Sequence, residues 1–546
     1  MAAPIDLDDV VKAEREARSR FVKRALVCTS TACVTAGALP VRDQISKTIH
    51  DAERPDICVV STGCPGMCSR GPLVRVEERG DQTTIYTHVD EDGAGDIARD
   101  HLLTGKPVDN VPTMAPDLPF FTRQVRVVLE TAGRIDPDRL EDYVGEGGYR
   151  ALARVITEMA PEQVVEEILL SRLRGRGGAG YPTGRKWALL AEAEGDPKYL
   201  VANGDEGDPG AFMDRTIMDS DPHRVIEGMA IAAYATGATK GYAYVRAEYP
   251  LAIERMERAI RAAKRAKLLG RNVLGTTFSF DLEVRVGAGA FVCGEETALM
   301  ASIEGRRGLP VLRPPYPTEK GLWGQPTMIN NVETLANVPA ILNHGHEWFA
   351  NLGTETSSGT KVFALAGSLE DTGLIEVPMG ITLRELVFDL AGGIANGREF
   401  KAAQTGGPSG GCIPARFLDT PVDYEHLRDL GSIMGSGGMV VMDDTVKMPE
   451  VARFYMEFCR DESCGKCAPC RVGTEKMYAF LDRICRGVGR ARDLAHLESL
   501  CRTVRATSLC GLGQSAPNPV FSTLEHFRDE YLDLLVEEEE VNGATA

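Results

Sequence analysis

Apolar and polar positions alternate with a period that changes along the chain. Near the N-terminus, "RALVC" and "DICVVSTGC" are short continuous apolar runs, read as buried strands that end at cysteines. "LVRVEERGDQTTIYTHV" is two alternating runs around a charged Gly-Asp turn, the pattern of a hairpin. Further on the period lengthens. "EQVVEEILLSRL" places Val164, Val165, Ile168, Leu169 and Leu173 at helical spacing. "KWALLAEAE" predicts a second helix beginning near Lys186. Strands then alternate with helices: "KYLVANGDEGDPG" runs from a strand into a polar loop, and "GYAYVRAEYP" leads into the helix "AIERMERAIRAAKRA". "FDLEVRVGAGAFVCGEETALMASIEG" is a strand, a glycine-rich turn and a helix. That alternation predicts α/β architecture. Between 360 and 443, "TKVFALAGSL", "GLIEVPMG", "TLRELVFDLAGG" and "GGMVVMDD" predict strands around one helix. Residues 447–535 read as helical.

These elements divide the chain into a small α/β unit (1–105), a linker with four prolines (106–120), a large α/β domain (121–350), a small α+β module (351–445), a helical domain (446–535) and an acidic, disordered tail (536–546). No tandem repeat is visible. With 546 residues, 43% apolar and 26% charged, the composition is that of a multidomain globular protein. A net charge of -18 argues against a broad nucleic-acid surface or an acidic lipid surface. No apolar run approaches the ~20 residues that span a bilayer. The charged N-terminus has no signal-peptide core. The expectation is a soluble cytoplasmic protein without direct membrane insertion.

The 14 cysteines sharpen the picture. In such a chain they suggest metal sites rather than disulfides. "ESCGKCAPCRVGT" sets Cys464, Cys467 and Cys470 at C-x2-C-x2-C spacing, with Cys510 in "TSLCGLGQ" as a distant fourth ligand. Three thiolates close in sequence can hold three corners of a cubane, which suits [4Fe–4S]. Zinc is the rival, but four-cysteine zinc sites usually pair two C-x2-C knuckles. Cys28-x4-Cys33 and Cys64-x3-Cys68 form a second group. Two pairs, each following a strand, suit a [2Fe–2S] cluster with two ligands per iron. Zinc, a redox disulfide or a metal-free relic remain open for that group. The other six cysteines show no ligand spacing and read as small buried hydrophobes.

"RGRGGAGYPTGRKW" carries Gly175, Gly177 and Gly180 in a G-x-G-x-x-G pattern. A dinucleotide-binding turn needs a strand before it and a helix opening at its last glycine. Here a helix precedes it, so that reading fails on context. A plain connector between helices is the bland alternative. The glycines with Arg176, Arg185 and Lys186 instead make a cationic loop suited to phosphate. Other polar loops carry Asn203, Asp205, Glu206 and Asp208, then Glu295 and Glu296 at a helix start. Arg313 and Tyr316 stand in "RPPYP", and Asn330 and Asn331 in "INNVET". Acids at helix starts are ordinarily caps and Asn pairs ordinarily turns. Together these groups offer amides, carboxylates and aromatic faces for a flavin.

With "NGDEGDPGAF", "GAGAFVCGEETAL", "GLWGQPTMINNVETLANVP" and "ESCGKCAPCRVGT…SLCGLG" following the glycine loop in order, residues ~120–530 closely resemble the flavin-bearing, NADH-oxidising subunit of respiratory complex I. Its soluble relatives in NAD-dependent formate dehydrogenases and multimeric hydrogenases share the resemblance. Residues 20–105 look like the thioredoxin-like [2Fe–2S] domain, which some soluble relatives carry in the flavin subunit. The resemblance implies a Rossmann-like FMN/NADH domain, a ubiquitin-like β-grasp (SLBB) module and a C-terminal helical bundle holding [4Fe–4S].

It further implies that Gly175, Arg176, Gly177, Gly178, Gly180 and Lys186 embrace the FMN phosphate and ribityl chain. Asn203, Asp205 and Glu206 contact the flavin, while Phe291, Gly294, Glu295 and Glu296 line its other side. Asn330 and Asn331 lie near the phosphate. Tyr181, Asp208, Glu296, Arg313 and Tyr316 contact NAD(H). Family members commonly have Tyr at Phe291, Glu at Asp208 and Lys at Arg313, which bears on affinity and on NAD against NADP. Some soluble relatives continue into a two-cluster ferredoxin domain, which is not seen here. Hydride exchange between NAD(H) and FMN and one-electron exchange with clusters is the expected activity. Expected partners are a small thioredoxin-like [2Fe–2S] subunit and a large cluster-bearing subunit. Formate dehydrogenase ranks first, then a hydrogenase, then an electron-bifurcating complex. A non-enzymatic cluster scaffold and a zinc interaction module are the rival classes.

Overall fold

The structure, a computed structural model, describes residues 5–79 and 82–536. The acidic tail from 537 onward and the Gly80-Asp81 hairpin turn lie outside the described residues. Among the described residues the architecture is mixed α/β, with three sheets and a C-terminal group of helices.

The first sheet has the order β2-β1-β3-β4-β5. β1 (Lys23–Cys28) and β2 (Ile57–Thr62) are parallel, and β3 (Val74–Glu78), β4 (Gln82–Tyr86) and β5 (Thr113–Met114) continue antiparallel. Two apolar runs and the hairpin thus form where alternation places them. The linker holds a surprise. Thr113 and Met114 pair with β4, and Phe120 is buried in a core shared with the third sheet. The proline-rich composition hides a two-residue edge strand, because prolines sit comfortably at sheet edges. The N-terminal helix Leu7–Ser19 also departs from the sequence division, since its Val11 packs into the core of the large domain beside Leu140 and Val144.

The second sheet is entirely parallel, in the order β8-β7-β6-β9. Its strands are β6 (Tyr199–Gly204), β7 (Lys240–Arg246), β8 (Asp281–Gly287) and β9 (Thr327–Asn331). β6 and β7 are apolar almost throughout because helices cover the sheet, including the nearly wholly buried helix Pro222–Thr236. Chain order reverses between β6 and β9. The loops after their C-terminal ends therefore diverge and leave a crevice, the usual ligand position in such sheets.

The third sheet has the order β11-β10-β14-β12-β13. β10 (Thr360–Gly367) and β11 (Gly373–Pro378) form a hairpin, β12 (Phe400–Thr405) and β13 (Gly411–Pro414) another, and β14 (Gly438–Asp443) runs parallel to β10 between them. The helical turn Glu385–Leu390 covers the sheet. The hairpin β12–β13 escapes the sequence reading because "FKAAQT" and "GCIP" are short and weakly alternating. Last come the helices Met448–Asp461, Ala468–Cys485, Ala491–Thr507 and Asn518–His526, packed around Met456, Met477, Leu481 and Leu497. No helix among the described residues is long and apolar enough to cross a membrane.

Candidate functional site

The glycine loop spans the helices Pro161–Leu170 and Thr183–Glu192. The second starts three residues before the predicted Lys186. The strand required before a dinucleotide-binding turn is missing here, as the sequence indicates. Arg174 and Pro182 pair across the neck of the loop, and Gly175 donates to Tyr181 O at 2.8 Å, so the loop is a closed Ω shape. Gly177 lies so close to β9 that a Cβ on it would sit 3.0 Å from Asn331 Cβ. Glycine lets this loop pass close to the switch point between β6 and β9 without pushing on Asn331.

Across the crevice, β6 delivers Asn203 and Asp205. Asn203 Nδ2 donates to Gly294 O at 2.9 Å, and Asn203 Oδ1 accepts from Asp205 N at 3.1 Å. This ties the β6 loop to the turn Phe291–Gly294 that follows β8. Both carboxylate oxygens of Asp205 are buried and find no protein donor. Burial pushes its carboxyl up to about 7. A buried carboxylate without partners costs free energy unless something outside the chain donates to it. A flavin ring N–H or ribityl hydroxyl has that chemistry, and the donor set fits FMN. At the mouth, Lys186 Nζ lies 2.8 Å from Glu296 Oε1, and Arg313 Nη1 lies 3.4 Å from Glu296 Oε2. Tyr181 and Tyr316 stand about half exposed, and Lys186 Nζ sits 5.9 Å from the Tyr181 ring centroid. The mouth thus offers both signs of charge and two aromatic faces.

Several of the expected contact residues also have bonds of their own within the chain. Arg176 is wholly buried, and its guanidinium donates to Arg174 O and Ser358 O. It braces the loop from behind rather than presenting charge to a phosphate. Glu206 accepts from the backbone N–H groups of Asp214 and Arg215, so it caps the helix Met213–Ser220. Glu295 likewise caps its own helix through Thr297 N and Ala298 N. Asn331 accepts from Thr334 N at the start of the helix Val332–His344 and donates to Asp214. Asn330 accepts from Trp187 Nε1 at 3.1 Å. Asp208 is half-buried against Gly407 and Ser436 of the third sheet, and burial raises its carboxyl to about 7. The Phe291 ring packs against Gly207 of the β6 loop and edge-to-face on Phe458 at 5.2 Å.

Trp187, Arg246 and Tyr424 were missed. Arg246 donates to Glu206 O at 2.7 Å and Gly289 O at 3.2 Å, clamping the loops after β6 and β8. Tyr424 Oη donates to Gly175 O at 2.8 Å. The "GRKW" run and an arginine closing an apolar strand were the available signals. Tyr424 had none, since it reaches the loop from 249 residues away.

Cys464, Cys467, Cys470 and Cys510 line one small cavity with Val292, Pro310 and Leu512. Three enter on the loop and first turn of the helix Ala468–Cys485, and the fourth precedes the short helix Gly511–Ser515. Burial pushes the Cys470 thiol up to about 11. Among the described residues, no three His, Cys, Asp or Glu side chains could hold a single metal ion. Val292 lines this cavity and Gly294, two residues on, abuts Asp205, so one turn separates the two sites.

At the other end, Cys28, Cys33 and Cys64 are buried and Cys68 half-buried. The Cys28 thiol is pushed well up, chiefly by hydrogen bonding with Cys33 and then Cys64. Cys64 and Cys68 sulfurs are 3.5 Å apart. The four thiols form a chain of contacts behind β1 and β2.

A doubly wound domain with a glycine-loop crevice, joined to a four-thiol cavity, defines a flavin- and iron–sulfur-binding oxidoreductase component. Residues 168–340 match the Nuo51 FMN-binding domain, and residues 450–534 match the NADH-ubiquinone oxidoreductase-F iron-sulfur binding region. The NADP-reducing hydrogenase subunit HndC of Solidesulfovibrio fructosivorans is 54% identical over 409 residues, 75% of this chain and 83% of that one. The F-type subunit 2 of NADH-quinone oxidoreductase from Rhizobium meliloti is 47% identical over 74% of this chain and 96% of its own. A solved NAD+-reducing [NiFe]-hydrogenase in its air-oxidized state superposes with a TM-score of 0.67 at 28% identity, covering 98% of this chain and 91% of that one. The chain belongs to the family of F-type flavoprotein subunits of NADH-quinone oxidoreductases.

Proposed function

We propose that the chain exchanges hydride with NAD(H) through FMN and passes electrons singly to iron–sulfur clusters, within a larger complex. The unpartnered, buried Asp205 carboxylate, beside Gly294 at the end of β6, carries this reading. When bound, FMN supplies two-electron hydride chemistry on one side and one-electron exchange on the other. The protein's part is placement. The Gly175–Gly180 backbone receives the phosphate end. Asn203 orders the β6 loop, Asp205 takes a donor from the flavin, and Gly294 leaves room beside it. Tyr181 and Tyr316 offer faces to the nucleotide rings, while Lys186, Glu296 and Arg313 hold its polar groups. Asp208 stands at the inner wall. Cys464, Cys467, Cys470 and Cys510 hold [4Fe–4S].

The finer domain readings fit the strand orders. The β2-β1-β3-β4 order, with a parallel first pair, supports a thioredoxin-like unit, and its Cys28, Cys33, Cys64 and Cys68 fit [2Fe–2S]. The order β11-β10-β14-β12-β13, with parallel β10 and β14, supports a β-grasp of SLBB type. For the partner, the sequence ranks the large subunit of a formate dehydrogenase ahead of a hydrogenase, and the hydrogenase names among the relatives favour the second choice. On this reading the chain works in the cytoplasm. Purified protein should be yellow, and NADH should bleach it anaerobically. A colourless protein that binds no FMN on reconstitution sinks the reading, and subunits co-purified and identified by mass decide the partner.

A further inference from the structure

The turn Phe291–Gly294 is held from two sides. On the crevice side, Asn203 donates to Gly294 O and Arg246 to Gly289 O. On the cluster side, Phe291 N donates to Glu462 Oε2 at 3.0 Å, and the Phe291 ring rests on Phe458, four residues earlier on the same helix. The fit is tight: a Cβ on Gly207 would meet Phe291 Cδ2 at 2.6 Å. Glu462 is the C-cap of the helix Met448–Asp461. A carboxylate there faces the negative end of the helix dipole and is disfavoured unless a donor compensates it. The compensating donor is the Phe291 N–H. Two residues after Glu462 stands Cys464, which lines the same cavity as Val292.

We propose that Glu462 is a positioning residue that fixes the flavin-side turn Phe291–Gly294 to the cysteine loop starting at Cys464, so that the two redox sites keep one spacing. This rests on the function proposed above. Glu462 is a ligand of neither site, and its charge adds only slightly to the effect of burial on Asp205. It acts through the Phe291 amide on one side and through the chain to Cys464 on the other. The electron route between the sites is therefore set by a contact between two domains.

The test compares Glu462→Ala, which removes the acceptor, with Glu462→Gln, which keeps an acceptor oxygen without the charge. Hydrogen exchange of the 291–294 segment should be about tenfold or more faster in Glu462→Ala, the size expected when a charged acceptor is lost. It should stay near wild type in Glu462→Gln. Stopped-flow bleaching of the flavin by NADH should be unchanged in both. The appearance of the reduced-cluster EPR signal should be about tenfold slower in Glu462→Ala and largely restored in Glu462→Gln. Wild-type cluster reduction in Glu462→Ala overturns the proposal. So does an equal loss of bleaching and cluster reduction, which marks a merely structural role, and so does failure of Gln to rescue. Should wild-type protein show no bleaching at all, the function reading fails by itself. Exchange then decides the contact alone: equal rates in Glu462→Ala and wild type overturn it.

Discussion

The two cysteine groups use the same side chain in opposite settings. Cys464, Cys467 and Cys510 are half-exposed around a small cavity that Val292 and Pro310 also line, and only Cys470 is buried. Cys28, Cys33 and Cys64 are buried where three parts of the chain meet. The loop carrying Cys64 and Cys68 is stitched to the third sheet by Leu374 N to Gly66 O at 2.7 Å and Ser69 N to Thr372 O at 3.1 Å. It is also tied to the flavin domain, since Cys64 N donates to Ser220 Oγ at 3.0 Å. Ser220 ends the very helix that Glu206 caps at the crevice. An eight-residue helix is about 12 Å long. The inner group is thus wired into the fold by three parts of the chain, while the outer group is held between the helical domain and the flavin-side residues Val292 and Pro310.

The largest effect should come from the thiols themselves. Cys467→Ser should abolish the [4Fe–4S] EPR signal while NADH still bleaches the flavin. Cys64→Ser should abolish only the [2Fe–2S] signal. If either change removed both signals from folded protein, the two groups would not be independent sites. Next is the docking of the inner group. Gly66 has φ +114°, and a Cβ there would lie 2.4 Å from Leu374 O, a backbone atom with nowhere to go. Gly66→Ala should cost about 1–3 kcal/mol and speed proteolysis within residues 106–120. The outer group's EPR signal should stay intact. An unchanged melting temperature and cleavage rate would show that the stitching is weak.

Between the groups, Asp205 titrates. Its folded carboxyl lies at about 7 against an ordinary 3.8, because burial disfavours the charge. Between those values the folded state binds the extra proton, so stability falls as pH rises, and the cost is complete above about 7. In flavin-free protein, Asp205→Asn should therefore stabilise by about 2–4 kcal/mol at pH 8 and by nothing near pH 3. The same change should weaken FMN binding. Melting curves against pH decide it, and a pH-independent difference would refute the burial argument.

Legibility in the sequence follows the same divide between local and distant causes. Cys464, Cys467 and Cys470 share a helix start, so spacing alone reveals them. Most strands of the parallel sheet were visible because covered strands are continuous apolar runs. Glu206, Glu295 and Asn331 show the limit: a carboxylate or amide near a helix start reads equally as ligand or cap, and only the bonded N–H groups show that here they cap. Arg176 misled for a related reason. Its charge suggested an open loop, yet its partners Arg174 O and Ser358 O are backbone carbonyls that no pattern announces. The hairpin β12–β13 and the edge strand β5 form because neighbours offer them partners, not because their own residues demand it.

The smallest expected effect tests the wiring most finely, through two serines. Ser463 Oγ lies 3.3 Å from Cys470 Sγ and touches the outer group directly. Ser220 Oγ accepts from the Cys64 amide and lies 3.5 Å from Ser30 Oγ, so it holds the inner group without touching its sulfurs. Hydrogen bonds to cluster sulfurs help set reduction potentials. Ser463→Ala should shift the [4Fe–4S] midpoint negative in an EPR-monitored titration and leave stability nearly unchanged. Ser220→Ala strands the buried Cys64 N–H, which should cost about 1–2 kcal/mol, with little change in the [4Fe–4S] midpoint. A potential shift from Ser220→Ala as large as that from Ser463→Ala would mean that the inner loop reaches the outer cluster. The helix Met213–Ser220 would then be a coupling element, and the sharp division between the two groups would fail.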